Sequence, residues 1–117
     1  MSEALMVLTT VEGFEDGERL ARLIVETELA ACVQILPPMT SIYRWQGKVE
    51  RASEHLLLIK TTRAAFSRLE QAIQGNHPYQ TPEIIAVSIE AGSSSYLAWL
   101  FESVPPPAPS DRPPDRR

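Results

Sequence analysis

The chain has 117 residues, 44 % of them hydrophobic and 22 % charged, which fits one globular domain of ordinary size. Its net charge of −4 argues against a nucleic-acid or anionic-membrane partner, and no apolar run approaches the ~20 residues of a membrane helix. A single cysteine rules out an internal disulfide framework, and the first residues lack the basic and apolar stretches of a signal peptide, so the expected location is the cytoplasm.

In chain order, residues 4–9 form a short apolar run and predict a buried strand. A break follows at residues 13–16, where Asp16 is the expected helix cap. Over residues 17–28, Leu20, Leu23 and Ile24 recur at helical spacing, with charged side chains between them. Residues 33–36 predict a second strand, which Pro37-Pro38 must break or bulge before it resumes at Thr40. Residues 42–61 read as a long hairpin turning at Gln46-Gly47, where Gly47 supplies the positive φ a tight turn needs. Its arms are long enough to project beyond the core.

Thr62 is the expected cap of a second helix over residues 63–74, with Phe66, Leu69 and Ile73 as its apolar stripe and Gly75-Asn76 as its C-cap. Two prolines hold residues 77–82 extended. Residues 84–89 predict a last strand, and residues 96–102 a short helix after Gly92-Ser93-Ser94-Ser95. From Val104 onward proline dominates, and a disordered or polyproline-like tail is expected over residues 104–117. Residues 1–103 carry 8 basic and 13 acidic side chains, whereas residues 104–117 carry 3 and 2, so the globular part is the acidic part.

The order strand, helix, strand, strand, helix, strand is the β-α-β-β-α-β pattern of the ferredoxin-like fold, an α+β class. Leu56 to Ile59, Leu5 to Leu8 and Ile84 to Val87 are each apolar at consecutive positions. Successive strand residues point to opposite faces, so both faces of the sheet are apolar. Two main helices cover only one, and self-association is the simplest cover for the other. Leu57 and Leu58 must therefore point opposite ways, one under the protomer's helices and one toward a neighbour.

Five stretches then carry a resemblance: Leu29-Ala30-Ala31-Cys32-Val33, Ser41-Ile42-Tyr43-Arg44-Trp45-Gln46-Gly47-Lys48, Leu58-Ile59-Lys60-Thr61, His77-Pro78-Tyr79-Gln80-Thr81-Pro82-Glu83-Ile84 and Tyr96-Leu97-Ala98-Trp99. In this order and spacing the chain resembles the CutA (CutA1) divalent-cation tolerance family over roughly residues 5–101. The resemblance implies a ferredoxin-like protomer over residues 1–103 in a stable homotrimer similar to the PII signalling proteins. It also implies a link to divalent metals, copper above all, and no enzymatic activity. Copper-linked members can carry a cysteine and a second histidine where this chain has Thr9 and Asn76.

His77 is accordingly the candidate metal contact, since imidazole suits copper and zinc; the bland alternative is a local hydrogen bond that fixes the entry to the last strand. A trimer can also assemble weak sites between subunits from Glu83 or His55. Cys32 is expected to be a small buried hydrophobe, structural like Gly47. Trp45, Lys60, Tyr79 and Glu83 have the mix of charge and aromatic surface that lines a ligand cleft, and in the family such positions lie near the clefts between subunits. No nucleophile–base pair and no glycine-rich phosphate cradle is visible. The expected function is therefore a non-enzymatic homotrimer in the response to divalent metals, binding copper weakly. The alternatives are a small-molecule sensor using inter-subunit clefts and a stable trimeric adaptor.

Overall fold

In the computed structural model, which describes residues 3–107, β1 (Ala4–Val11) leads into α1 (Phe14–Glu26). Two short strands follow, β2 (Cys32–Ile35) and β3 (Met39–Trp45), then the long β4 (Lys48–Thr62). A 3-10 turn (Arg63–Ala65) opens α2 (Phe66–Asn76), and β5 (Ile85–Ser88) and α3 (Ser94–Ser103) complete the chain. The sheet order is β2-β4-β1-β5, every pairing antiparallel, with β3 also paired to β4. This is the ferredoxin-like α+β arrangement that the element order predicts.

β4 is the spine of the sheet. Its C-terminal half pairs with β2 from Leu57↔Ile35 to Lys60↔Cys32, and its N-terminal half pairs with β3 from Lys48↔Trp45 to Glu54↔Met39. Pro37-Pro38 lies between β2 and β3, where no ladder bond can be donated. The ladder is tied across this gap: the Leu36 N–H donates to the Leu56 carbonyl, and His55 Nδ1 donates to the Leu36 carbonyl, both at 2.9 Å. His55 is thereby a structural side chain, its ring also edge-on to Phe14 at 5.7 Å. At the far end Gln46 (φ 50°) and Gly47 (φ 79°) both take left-handed backbone, as a two-residue turn of type I′ demands.

Alternation along β1 and β4 divides the sheet in two. Val7, Val11, Leu57 and Ile59 face the helices and pack with Leu20, Ile24, Leu69 and Ile73, all buried. Leu57 is therefore the core residue, and its neighbour Leu58 lies on the opposite, open face. There the register sets Leu8 between Leu58 and Ile85, and Met6 between Lys60 and Val87. Ile85 and Val87 are 52 % and 44 % exposed. Only one end of this face is capped: Leu100 of α3 packs with Ala31, Ala65 and Val104 in a second, smaller cluster.

Three local expectations are corrected. α1 starts at Phe14 with Gly13 in the cap position, and Asp16 sits inside the first turn, paired with Arg19 at 2.5 Å. Gly17 is helical, and a Cβ there would stand 3.0 Å from a Val11 methyl and 3.5 Å from Leu57. α1 ends at Glu26, and Glu28 (φ 61°) turns the chain while the Leu29 N–H reaches back to the Ile24 carbonyl at 2.9 Å. α2 runs through Asn76, whose side-chain amide donates to the Ala72 carbonyl at 2.8 Å, so Gly75-Asn76 close no turn outside it. Thr62 does cap the second helical stretch, its hydroxyl accepting from the Ala65 N–H at 3.2 Å. Val104, which follows α3, is 3 % exposed and packs with Leu100. Residues 108–117, most of the expected tail, lie outside the described residues.

This division makes two adjacent leucines respond differently. Leu57→Ala opens a cavity beneath the helices and should cost about 2–5 kcal/mol in denaturant unfolding. Leu58→Lys adds its charge to an open face and should keep the far-UV circular dichroism of the parent. Equal losses from both would contradict the assignment of faces.

Candidate functional site

The hairpin leaves the sheet at Glu54 and overhangs it, and the loop between α2 and β5 faces the root of that overhang. Between them lies a cleft of about 840 Å³. Leu8, Met39 and Leu56 form its apolar floor, and the rings of Tyr43, Trp45 and Tyr79 stand around it. Glu12, Glu54 and Glu83 contribute carboxylates, and Arg44 is its basic side chain.

Glu54 anchors the cleft. It lies in period-two register with Leu56 and Leu58, so its carboxylate points to the open face, yet it is 7 % exposed. Tyr79 Oη donates to its Oε2 at 2.6 Å, and the hydroxyls of Ser41 and Thr10 also bond to it. One carboxylate thus ties β1, β3, β4 and the loop together. Burial alone would raise its pKa, but the three hydroxyl donors and the nearby His77 outweigh that and hold it below the usual value. Burial and the same hydrogen bond push the Tyr79 phenol far upward. At neutral pH the pair is a carboxylate accepting from a neutral phenol.

His77 braces the loop from below. Its Nε2 donates to the Thr10 carbonyl at 2.8 Å, and its Nδ1 accepts the Tyr79 N–H at 3.0 Å. The two rings meet edge-on with centroids 4.7 Å apart. Burial lowers the imidazole pKa, against the opposing pull of the Thr10 carbonyl, Asp16 and Glu54. Both ring nitrogens are therefore engaged with backbone at the entry to the last strand.

These positions also test whether a metal fits. Thr9 points the other way, fully buried on the helix side, with its hydroxyl unpartnered among the described residues. Asn76 is held by its own helix. Among the described residues no three His, Cys, Asp or Glu side chains gather as a metal would need.

The structure brings Trp45, Tyr79 and Glu83 into one cleft but leaves Lys60 out of it within the protomer. Lys60 lies six residues from Glu54 on one strand, ~20 Å away by strand rise, and its Nζ donates to Gln34 Oε1. Cys32 is half-buried beside it, hydrogen-bonded to Tyr96. Thr10, Ser41 and Glu54 were missed in the sequence. The signal for Glu54 was present in its alternation with Leu56 and Leu58, which puts a carboxylate on an apolar row.

The structure is thus a ferredoxin-like sheet with a long hairpin and one apolar face that its helices leave open. Comparison with known proteins gives its family. The family model described as CutA1 divalent ion tolerance protein matches residues 5–103, and the chain belongs to that family. It is 49 % identical over 98 residues to the divalent-cation tolerance protein CutA of Thermus thermophilus, a match covering 84 % of this chain and 95 % of that protein. The chloroplastic CutA of Arabidopsis thaliana is 45 % identical, but this chain spans 55 % of its length. Among solved structures, the Thermus thermophilus Cut A1 aligns with a TM-score of 0.85 at 47 % identity, covering 87 % of this chain and 99 % of that one. The Archaeoglobus fulgidus CutA, described as periplasmic, aligns with a TM-score of 0.84 at 35 % identity, covering 87 % and 99 %.

Tyr79→Phe isolates the central bond. Removing one donor to a buried carboxylate should cost about 1–3 kcal/mol at neutral pH. The depressed Glu54 pKa contributes stability above the unfolded carboxylate value, lost as pH falls through the lower folded value. The cost of Tyr79→Phe should therefore shrink in acid. A difference from the parent that stays constant from pH 7 to pH 3 would contradict it.

Proposed function

We propose that the protein is a homotrimeric, non-enzymatic member of the divalent-cation tolerance family whose working unit is the assembly. The observation that carries this reading is the open face of the sheet. Met6, Leu8, Leu58, Ile85 and Val87 share it, and α3 caps only one end. An apolar surface of this kind gains from burial against another copy. The family's printed description supports the link to divalent ions.

Residues 1–103 are the module in this reading, with Val104 packed onto it and the proline-rich residues that follow an appendage to it. No catalytic step is assigned: both ring nitrogens of His77 bond to backbone, and His55 Nδ1 ties the β2–β3 gap. Copper contact in this reading is weak and runs through His77, which must release the Thr10 carbonyl or the Tyr79 N–H to take a metal. We place the protein in the cytoplasm, where its lone thiol stays reduced. No helix among the described residues is long and apolar enough to cross a membrane.

A second reading has one observation in its favour. The cleft joins three aromatic rings to carboxylates around an apolar floor, as small-molecule sites do. A sensor using such clefts between subunits would melt at a higher temperature in the presence of its ligand.

Calorimetric titration of the assembled protein tests the metal reading. Cu(II) should bind with a Kd weaker than about 1 μM, and His77→Ala should abolish that binding. Tight binding that survives the substitution would place the site elsewhere. Deleting residues 108–117 should leave assembly and melting temperature unchanged; a drop of several degrees would make the tail part of the fold.

A further inference from the structure

Three aromatic rings and a buried carboxylate face the same cleft. The Ser41 hydroxyl bonds to Glu54, so its side of β3 is the cleft side, and Tyr43 and Trp45 follow it there in period-two register. Tyr79 completes the set from the loop, fixed by its hydrogen bond to Glu54 at 2.6 Å. Tyr43 and Trp45 are 42 % and 40 % exposed, which leaves much of each ring open to a guest.

The charge and the free acceptors of the wall decide what that guest is. Glu54 is 7 % exposed and forms no ion pair among the described residues, whereas buried charges are ordinarily paired. Glu12 and Glu83, both exposed, add negative charge, against Arg44, which is out of phase with the aromatic row on β3. The cleft therefore favours a cation. It does not favour one that needs many hydrogen bonds. A carboxylate has about four acceptor positions, and the hydroxyls of Thr10, Ser41 and Tyr79 already take up those of Glu54. Leu8, Met39 and Leu56 beneath offer no side-chain acceptor of comparable strength. A primary amine or a guanidinium would give up water there for too few partners. A quaternary ammonium has no N–H to satisfy, and its charge is drawn to the faces of aromatic rings.

We propose that this cleft binds a small organic cation bearing a quaternary ammonium group, which Tyr43, Trp45 and Tyr79 enclose and Glu54 neutralises. The proposal rests on the small-molecule reading of the cleft given above and names its ligand class. At about 840 Å³ the cleft is as large as many small-molecule sites, so it has room beside the ammonium for an apolar body over its floor.

Calorimetric titration of the unmodified, assembled protein tests this with tetramethylammonium and choline. The controls are ethanolamine, which is choline without its methyl groups, and the uncharged analogue in which a tert-butyl group replaces the trimethylammonium. Both quaternary cations should bind saturably, choline with a Kd below about 1 mM. Both controls should bind at least about tenfold more weakly than choline. Trp45→Ala should weaken choline binding by more than about tenfold and Trp45→Phe by less, with far-UV circular dichroism confirming the fold of each. Glu83→Gln, which leaves every ring in place, should weaken it about two- to fivefold. An uncharged analogue or ethanolamine that binds as tightly as choline, choline binding that Trp45→Ala leaves unchanged, or no binding of either quaternary cation would overturn the proposal. Thermal shifts separate that failure from failure of the reading beneath it. If an uncharged or anionic compound raises the melting temperature of the parent but not that of Trp45→Ala, the cleft is still a small-molecule site; if no compound of any charge does, both fall.

Discussion

The constraint on which this structure depends is a sheet with two apolar faces and helices enough for one. β1 and β4 pair over their length, from Ala4↔Thr62 to Val11↔His55, and alternation sends Val7, Leu57 and Ile59 one way and Leu8 and Leu58 the other. α1 and α2 seal the first set completely. α3 has a single buried residue, Leu100, and reaches only the Ala31 end of the second face. Hydrophobic burial is roughly proportional to the apolar area removed from water, so covering the open face would be a favourable gain. The long hairpin follows the same logic, since strands projecting beyond the core gain little from their own chain.

Glu54 sits where these two features meet. It is the last residue of β4 paired to β3, next to the point at which β2 takes over, and its carboxylate gathers hydroxyls from Thr10, Ser41 and Tyr79. His77 supports the same junction by holding the Thr10 carbonyl and the Tyr79 N–H. The histidine that composition recommends for metal binding is thus engaged in shaping the cleft. The carboxylate of Glu54, which forms no ion pair among the described residues, shares the cleft with Glu12, Glu83 and Arg44.

Most of the architecture was legible because it rests on local physics. The Gln46-Gly47 turn, the Pro37-Pro38 interruption and the Thr62 cap each follow from one or two residues, and all three stand in the structure. The errors fell at helix ends. Asp16 looks like a cap, but α1 starts at Phe14 with Gly13 in the cap position, which leaves Asp16 inside the first turn. Glu28 has ordinary helical propensity and ends up in a left-handed turn. At the site, Trp45, Tyr79 and Glu83 converge because hairpin and loop meet over one face. Lys60 does not join them, because strand rise carries it to the far end of β4. The part of Leu57 against that of Leu58 was not readable, since parity relative to the helices is set by tertiary packing.

Sedimentation equilibrium of the unmodified protein over the micromolar range tests the uncovered face most directly. The account predicts a single species at three times the 13.0 kDa chain mass, unchanged on dilution. A stable species at the mass of one chain would mean that Met6, Leu8, Leu58, Ile85 and Val87 remain against water, and would contradict it.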